Sequence, residues 1–267
     1  MGLQTLYTAA TGMDALQTKL DTISNNLANV NTTGFKQDRC NFEDLMYQNP
    51  ILPGNQDSAG QFTPTGIHVG LGVRVQSTQA DFSQGSFQQT GRPLDWAVVG
   101  DGFFQVTDPS GQIYYSRAGN FSLNANGQIV LASASDGRLL DPAITIPQDA
   151  VGIVVSPEGL VSVQQANTPQ LQQVGQIQLA RFINPQGLLK MGQNLFQETV
   201  SSGSPLQGNP GTPGFGTIQQ NALENSNVNP VTQLIDLITT QRAFELNSQA
   251  VQTGNQVLQL IDNLQRV

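Results

Sequence analysis

Cys40 and His68 are the residues of this chain whose side chains could act as a nucleophile, a general base or a metal ligand. The chain has one cysteine and one histidine, too few for a zinc site built from these residues. No nucleophile motif surrounds Cys40, and His68 lies in a strand-like run, where an ordinary polar strand residue is the simpler interpretation. A single cysteine also forms no disulfide framework. We therefore expect no catalytic residue, no metal and no cofactor, and we do not expect an enzyme.

A glycine-rich stretch, Gly100–Val106, places Asp101 between two glycines and so invites comparison with a phosphate-binding loop. Its spacing is neither that of a P-loop nor that of a dinucleotide fingerprint. A tight turn that leads into a strand explains the stretch without a ligand.

The composition restricts the partners that this protein can have. Charged residues make up 11% of the chain, against about 25% in ordinary soluble proteins. The net charge of −8 gives no basic patch for a nucleic acid. No apolar run reaches the roughly 20 residues that span a bilayer, and Met1–Gln4 lacks the features of a cleavable signal, so we expect no direct membrane insertion. Surfaces with few charges suit burial against other protein.

Apolar residues recur at alternating steps of three and four at both ends of the chain, which is a coiled-coil pattern. The predicted interface residues of the N-terminal stripe are Leu6, Met13, Leu16, Leu20, Ile23, Leu27 and Val30. Those of the C-terminal stripe are Leu246, Ala250, Val257, Leu260 and Leu264. The other faces carry Thr, Gln and Asn rather than the Lys and Glu of a solvated helix. The stripes predict helices that pack against each other or against copies of the chain, and so favour assembly.

Capping residues suggest where these helices begin and end. We predict a first helix over residues 3–30 that ends near Asn31–Gly34, where Asn and Gly suit a left-handed cap. A second helix should begin after Asn229, the predicted N-cap, with Pro230 at its first position.

Between the helices the hydrophobic period changes to two, and turns that end in glycine separate short apolar runs. This pattern predicts hairpins in a mostly antiparallel β domain. The fold class is therefore α+β, with terminal helices paired as a coiled-coil-like domain and the β domain inserted between them through extended linkers. The predicted limits are 1–36 and 222–267 for the helical assembly domain, 37–75 and 201–221 for the connecting segments, and 76–200 for the β-rich outer domain.

Four stretches resemble the signatures of the bacterial flagellar rod and hook family. They are Ile23–Lys36, Asp95–Val106, Ser226–Asn229 and Thr240–Ser248. The signature residues taken from them are Asn25, Asn26, Asn29, Gly34, Phe35, Asn227, Asn229, Gln241, Arg242 and Phe244. The resemblance covers essentially the whole chain.

Within that family the chain is most similar to the members that form the distal rod. The similarity rests on Phe42–Gln48, on the Pro/Gly-rich stretch that follows, and on Gly70–Arg74. The length also fits, because hook subunits are generally longer.

The resemblance implies a structural subunit of the basal-body distal rod that polymerises into a straight, rigid tube and carries motor torque to the hook. It places the protein in the flagellar basal body, where the rod crosses the periplasm. The implied partners are copies of the chain, proximal rod proteins, the hook protein or its adaptor, the surrounding periplasmic and outer-membrane ring proteins, and the flagellar type III export apparatus. Two alternatives stay open: a proximal rod or hook subunit, and a secreted β-rich binding or cell-wall-processing protein.

Overall fold

The computed structural model describes residues 2–54, 56, 61–62, 64–133, 136–166 and 168–265. The chain divides into two compact units. The first unit comprises Met1–Ala28, Asp38–Gln79 and Asn229–Val267; the second comprises Asn29–Gln37 and Ala80–Val228. In the part of the chain that is described, no helix combines the length and the apolar character that a membrane crossing requires.

Two helices and four strands form the first unit. They are α1 (Gly2–Ala28), β1 (Asp38–Asp44), β2 (Tyr47–Ile51), β3 (Ile67–Gly70), β4 (Val73–Ala80) and α2 (Pro230–Gln265). Leu6 of α1 lies against Gly254 of α2, and farther along α1 the side chain of Asn26 donates to Gln233 Oε1 at 3.4 Å. Because the partners on α2 descend as those on α1 rise, the two helices run antiparallel.

The start of α2 confirms the predicted cap. Asn229 Oδ1 accepts hydrogen bonds from the backbone N–H groups of Val231 at 3.0 Å and Thr232 at 3.4 Å. Pro230, which has no N–H to offer, occupies the first helical position. The helix therefore begins where the side chain of Asn229 replaces its missing acceptors.

The end of α1 differs from the prediction, because the helix stops at Ala28 rather than at residue 30. Asn29 Oδ1 accepts from Thr32 Oγ1 at 3.0 Å, and the Thr32 N–H donates to the Asn29 carbonyl at 3.1 Å. These local polar bonds compete with helix continuation. Gly34 does have a left-handed φ of 69°, but it lies beyond this turn and does not cap α1.

Residues 37–75, which we predicted only as an extended connecting segment, contain strand pairs. β2 pairs with β3 in antiparallel register. β1 pairs with β4, and Asn41 of β1 donates to Ser77 Oγ of β4 at 3.2 Å. Most side chains of β2 and β3 are exposed, so no alternation of polar and apolar residues marked them in the sequence.

The second unit is built from strands that pair antiparallel. They are β5 (Phe87–Gln89), β6 (Trp96–Val99), β7 (Phe103–Thr107), β8 (Ile113–Ser116), β9 (Phe121–Leu123), β10 (Ile129–Leu131), β11 (Leu139–Asp141), β12 (Ala150–Val155), β13 (Leu160–Gln165), β14 (Thr168–Gln176), β15 (Leu179–Arg181), β16 (Leu189–Gly192), β17 (Leu195–Gln197), β18 (Leu206–Gly208), β19 (Thr217–Gln220) and β20 (Ala222–Glu224), with a 3₁₀ turn at Pro185–Gly187. The predicted antiparallel β domain is confirmed.

The largest sheet has the order β16-β17-β8-β7-β11-β10-β9, and β15 joins it by pairing with both β7 and β18. A second sheet has the order β12-β13-β14, and β6 pairs with β19 and β5 with β20. β18 and β19 fall in residues 201–221, which we predicted as a connecting segment. Strands this short leave too little alternation to be recognised in a sequence.

Side chains of β7 enter two hydrophobic clusters because successive residues of a strand point to opposite faces. Phe104 and Val106 belong to the larger cluster with the fully buried Trp96. Phe103 lies in the smaller cluster, where its ring packs edge-on against Phe182 at a centroid distance of 5.9 Å. The turn before β7 is the tight glycine turn that the sequence predicted, since Gly100 and Gly102 both have positive φ.

We predict that Gly34→Ala destabilises the second unit more than Gly111→Ala. Both glycines have positive φ, so both substitutions carry the same backbone strain. A Cβ at Gly34 would lie 2.6 Å from the Ala118 nitrogen, whereas nothing lies within 4 Å of a Cβ at Gly111. The steric difference should add about 1–3 kcal/mol to the loss for Gly34→Ala. Equal denaturant midpoints for the two variants would contradict this prediction.

Candidate assembly site

The face of α2 that meets α1 carries a row of half-buried apolar residues, Leu237, Phe244, Val251 and Leu258, beside small and polar ones. Thr240, Asn247 and Gly254 are seven residues apart and so lie on one side of the helix. Thr240 is buried, the Asn247 amide lies 3.2 Å from the Cβ position of Gly12, and Gly254 faces Leu6. Small residues at these points allow the two backbones to approach closely.

The sides of α2 that do not meet α1 expose apolar side chains among polar ones, and we call this surface the outer face. A helix turns by about 100° per residue, which places Leu246 about 120° and Val257 about 100° from Thr240. Leu246 is 66% exposed, Val257 47% and Leu260 63%. The exposed apolar residues of this outer face are Val231, Leu234, Ile235, Ile238, Leu246, Val257 and Leu260, with Ala250 beside them. Leu264 lies outside the residues whose side chains are described.

The two predicted stripes differ in burial within this chain. On α1, Ile23 is buried, and the other stripe residues of that helix, together with Val30 beyond its end, are half-buried. They are Leu6, Met13, Leu16, Leu20, Leu27 and Val30. On α2 the described stripe residues Leu246, Ala250, Val257 and Leu260 are exposed. That they form an assembly interface stays a prediction.

Asn26 is the signature residue with the most extensive role in the first unit. Its side chain is buried, and its Nδ2 donates to the Asp38 carbonyl at 2.8 Å. Its Oδ1 accepts from the Asp38 N–H at 2.9 Å. Both backbone groups of the first residue of β1 are thereby bound to the last turns of α1, which no shorter side chain could do.

The remaining signature residues divide between buried and exposed positions. Asn25, Gln241 and Arg242 are exposed, and Phe244 is half-buried. Phe35 is half-buried, and the ammonium of Lys190 lies 5.3 Å from its ring centroid, within cation–π range.

A buried ion pair connects the two ends of the second unit. Lys36 Nζ lies 2.6 Å from Glu224 Oε1, and neither side chain is exposed to solvent. Lys36 Nζ also donates to the Ser83 carbonyl at 2.7 Å, and the Gly85 N–H donates to the same Glu224 oxygen at 3.0 Å. Arg117 Nη1 approaches Glu224 Oε2 at 3.6 Å. Glu224 Oε1 is thus satisfied by two donors, whereas Oε2, among the described residues, has only the ionic contact with Arg117 and accepts no hydrogen bond.

Burial lowers the pKa of Lys36 below its ordinary value of 10.5, because desolvation penalises the ammonium form. The carboxylate of Glu224 opposes this shift through charge and hydrogen bonding, Arg117 adds to it, and Asp81 opposes it weakly. The pKa of Arg117 is likewise lowered by burial. The cluster keeps two cations in the protein interior only because Glu224 lies between them.

Lys36 and Glu224 were not among the residues that we selected from the sequence. Lys36 ends the signature stretch Ile23–Lys36, and Glu224 precedes the signature residue Asn227. The sequence did contain a signal for Lys36. Basic residues are scarce, with 11 in the chain, and this one follows directly on Gly34-Phe35. A charge in such surroundings is a candidate for a buried pair.

The residues with reactive side chains lie apart from this cluster. His68 is exposed, with its Nδ1 2.5 Å from Asn49 Oδ1, and the half-buried Cys40 has its pKa raised by burial. In the described residues, no three His, Cys, Asp or Glu side chains are grouped so that they could hold a metal ion.

Comparisons with known proteins agree with the sequence signatures. Residues 6–36 match the family described as "Flagella basal body rod protein", residues 97–163 match "Flagellar hook protein FlgE/F/G D1 domain", and residues 219–264 match "Flagellar basal body rod FlgEFG protein C-terminal".

Several whole-length relatives have the name "Flagellar basal-body rod protein FlgG". The chain is 48% identical to that of Caulobacter vibrioides, over 98% of this chain and 99% of the relative. It is 42% identical to that of Borreliella burgdorferi, over 99% of each. It is 38% identical to that of Bacillus subtilis, over 99% of this chain and 100% of the relative.

We predict that Glu224→Gln destabilises the protein by about 3–5 kcal/mol near neutral pH, because the buried ammonium of Lys36 loses its counter-charge. The loss should shrink as the pH rises toward 10.5. With its pKa further lowered in the folded variant, Lys36 binds fewer protons folded than unfolded, so raising the pH stabilises the variant. Denaturant unfolding at neutral pH and near pH 9.5 measures both effects.

The matched control is Glu158→Gln, which removes an exposed carboxylate of the same unit. It should change the free energy of unfolding little at either pH. If Glu224→Gln showed a pH-independent loss, packing rather than charge would be the cause.

Proposed function

This chain belongs to the FlgG family of flagellar basal-body rod proteins, and from this premise we propose that the outer face of α2 binds neighbouring subunits in the rod. The protein is a structural, non-enzymatic subunit of the distal rod in the bacterial flagellar basal body. Members of the family assemble with copies of themselves and with other basal-body components. What the geometry adds is a candidate for the assembling surface.

The exposed apolar stripe on α2 carries this proposal. An exposed row of Leu, Ile and Val along a helix whose other face is already paired is costly in water. Burying Leu246, Val257 and Leu260 in a neighbour would contribute roughly 1.5–3 kcal/mol each. Few charges stand on α2 that such an interface would have to desolvate or pair.

We propose that the packing between subunits, rather than within one chain, has the regularity of a coiled coil. The C-terminal stripe keeps its three–four spacing on a face that is free of α1, as knobs-into-holes packing with another helix requires. The stripe residues of α1 are only half-buried and retain surface for a second neighbour. Each subunit would then present α2 outward to one neighbour and α1 to another.

The roles of the predicted domains and connecting segments belong to the same proposal. Within the predicted terminal segments 1–36 and 222–267, α1 and α2 would form the inner assembly layer, and residues 76–200 would belong to the outer domain. Of the predicted connecting segments, residues 38–75 lie in the first unit and 201–221 in the second. The exposed side chains of Met46 and Phe62 suit contacts of the first linker with adjacent subunits. A straight, rigid tube that carries torque to the hook follows from such contacts.

Specific neighbours remain part of the proposal as well. At the ends of the tube these would be proximal rod proteins and the hook protein or its adaptor, and around it the periplasmic and outer-membrane ring proteins. The flagellar export apparatus would deliver the subunit. Relatives named FlgG match the whole chain, which favours the distal rod over the proximal rod, the hook or a cell-wall-processing protein.

We predict that Val257→Asp raises the protein concentration at which tubes form by at least about tenfold. The substitution removes a buried valine from the interface and places a carboxylate there, and each 1.4 kcal/mol corresponds to a factor of ten. Because Val257 is half-exposed and belongs to the first unit, the second unit should fold as in the wild type. Sedimentation over a concentration series, with electron micrographs of the pellet, measures the threshold.

Val200→Asp is the matched control, since Val200 is a fully exposed valine of the second unit. Its threshold should equal that of the wild type. Tube formation by Val257→Asp at wild-type concentrations would rule out the outer face, and absence of wild-type tubes at any concentration would rule out autonomous assembly.

We further predict that the two helices are largely unfolded in dilute monomer and become ordered on assembly. In the dilute monomer no neighbour covers the exposed apolar side chains of α2, and isolated helices are marginal in water. Hydrogen exchange should therefore be fast over residues 3–30 and slow in β7, whose side chains are buried. Strong protection of residues 3–30 in the monomer would disprove this.

A further inference from the structure

The chain passes between the two units at four peptide bonds, which follow Ala28, Gln37, Gln79 and Val228. Three of these crossings are marked, inside the second unit, by residues that bind one another. Gln37 is the last residue before the crossing to Asp38. Asp81 is the second residue after the crossing that follows Gln79, and Asn227 is the second-last residue before the crossing that follows Val228.

Hydrogen bonds link these three residues in a closed ring. The Gln37 N–H donates to Asn227 Oδ1 at 2.8 Å, Asn227 Nδ2 donates to the Asp81 carbonyl at 2.8 Å, and the Asp81 N–H donates to the Gln37 carbonyl at 2.8 Å. Gln37 Nε2 also donates to Asp81 Oδ2 at 3.1 Å. We call this ring of Gln37, Asp81 and Asn227 the junction node.

The buried ion pair binds the same three segments a second time. Lys36 precedes Gln37, Ser83 follows Asp81 by two residues, and Glu224 precedes Asn227 by three. Lys36 Nζ contacts both Glu224 and the Ser83 carbonyl, so each segment is held at two points. Two attachment points fix the direction of a segment as well as its position.

A single peptide crossing transmits torque poorly, because the chain rotates freely about two dihedral angles at each residue. Three crossings tied at their bases can resist rotation together. We propose that the junction node is a mechanical coupling, which makes three of the four connections of the second unit respond to applied torque as one body. The proposal rests on the rod function for the source of the torque.

Hydrogen exchange of the full-length chain tests the coupling without reference to the rod. Asn227→Ala removes the amide that accepts from Gln37 and donates to Asp81. Exchange should then become at least about tenfold faster in residues 35–38, 80–83 and 224–228 together, while β10 is unchanged. Faster exchange confined to 224–228, or no change, would overturn the proposal.

Asn225→Ala is the matched control. The Asn225 side chain donates to Ser86 Oγ at 3.4 Å and takes no part in the node. Exchange in the segments around Gln37 and Asp81 should remain at the wild-type rate. If Asn225→Ala loosened all three segments equally, the effect of Asn227→Ala would not be specific to the node, and the proposal would fail.

Asp81→Ala is a second variant that tests the node if Asn227→Ala does not fold. It removes the carboxylate that accepts from Gln37 Nε2 and from the Ser83 N–H at 2.9 Å, and leaves Asn227 in place. The same three segments should exchange faster. If both variants lack a cooperative melting transition, the node is required for folding itself and the mechanical proposal is wrong.

Motility separates this proposal from the rod function. In a flagellated bacterium that lacks its own distal rod protein, Asn227→Ala should give rods of normal length in electron micrographs. Swimming should slow more in viscous medium than in dilute medium, relative to wild type. Equal slowing in both media, or missing rods with this variant alone, would overturn the coupling; missing rods with the wild-type chain would instead overturn the rod function.

Discussion

The buried contact between Lys36 and Glu224 joins residues 188 positions apart in sequence, and the connections of the second unit depend on it. Replacing a buried ion pair with apolar residues often costs no stability. The contribution of this pair is therefore to the specificity of the fold rather than to its stability. An ammonium and a carboxylate in an apolar interior tolerate only arrangements that satisfy both. Here Ser83, Gly85 and Arg117 complete the surroundings of the pair, which brings four separate segments of the chain together.

The rest of the molecule is affected by how few charged residues it has, rather than by a buried charge. With only 11% charged residues, most surfaces can be covered by other protein without burying an unpaired charge. α2 shows the consequence, because one side meets α1 and its other sides expose Leu, Ile and Val among uncharged polar residues with few charges. A helix with two such faces is poorly suited to a monomer and well suited to an inner layer of a polymer, where every side has a neighbour.

The fold was predictable where local chemistry decides it. Asn229 and Pro230 gave the start of α2, and glycine turns such as Gly100 gave the entry to a strand. Prediction failed where local bonds or long-range pairing compete with the pattern. The turn at Asn29 shortened α1, and the β2–β3 pair lies in a segment whose exposed side chains carry no alternation.

The sequence by itself determined the class of protein, the two helices, the antiparallel domain and the family, because periodicity, caps and signature stretches are local properties. It also located an apolar stripe on α2. Only the tertiary structure decided that this stripe is exposed in the single chain, that Lys36 is buried against Glu224, and that Gln37, Asp81 and Asn227 form one node. These features depend on which distant segments meet, and a pattern along the chain records the chemistry of a surface without recording its partner.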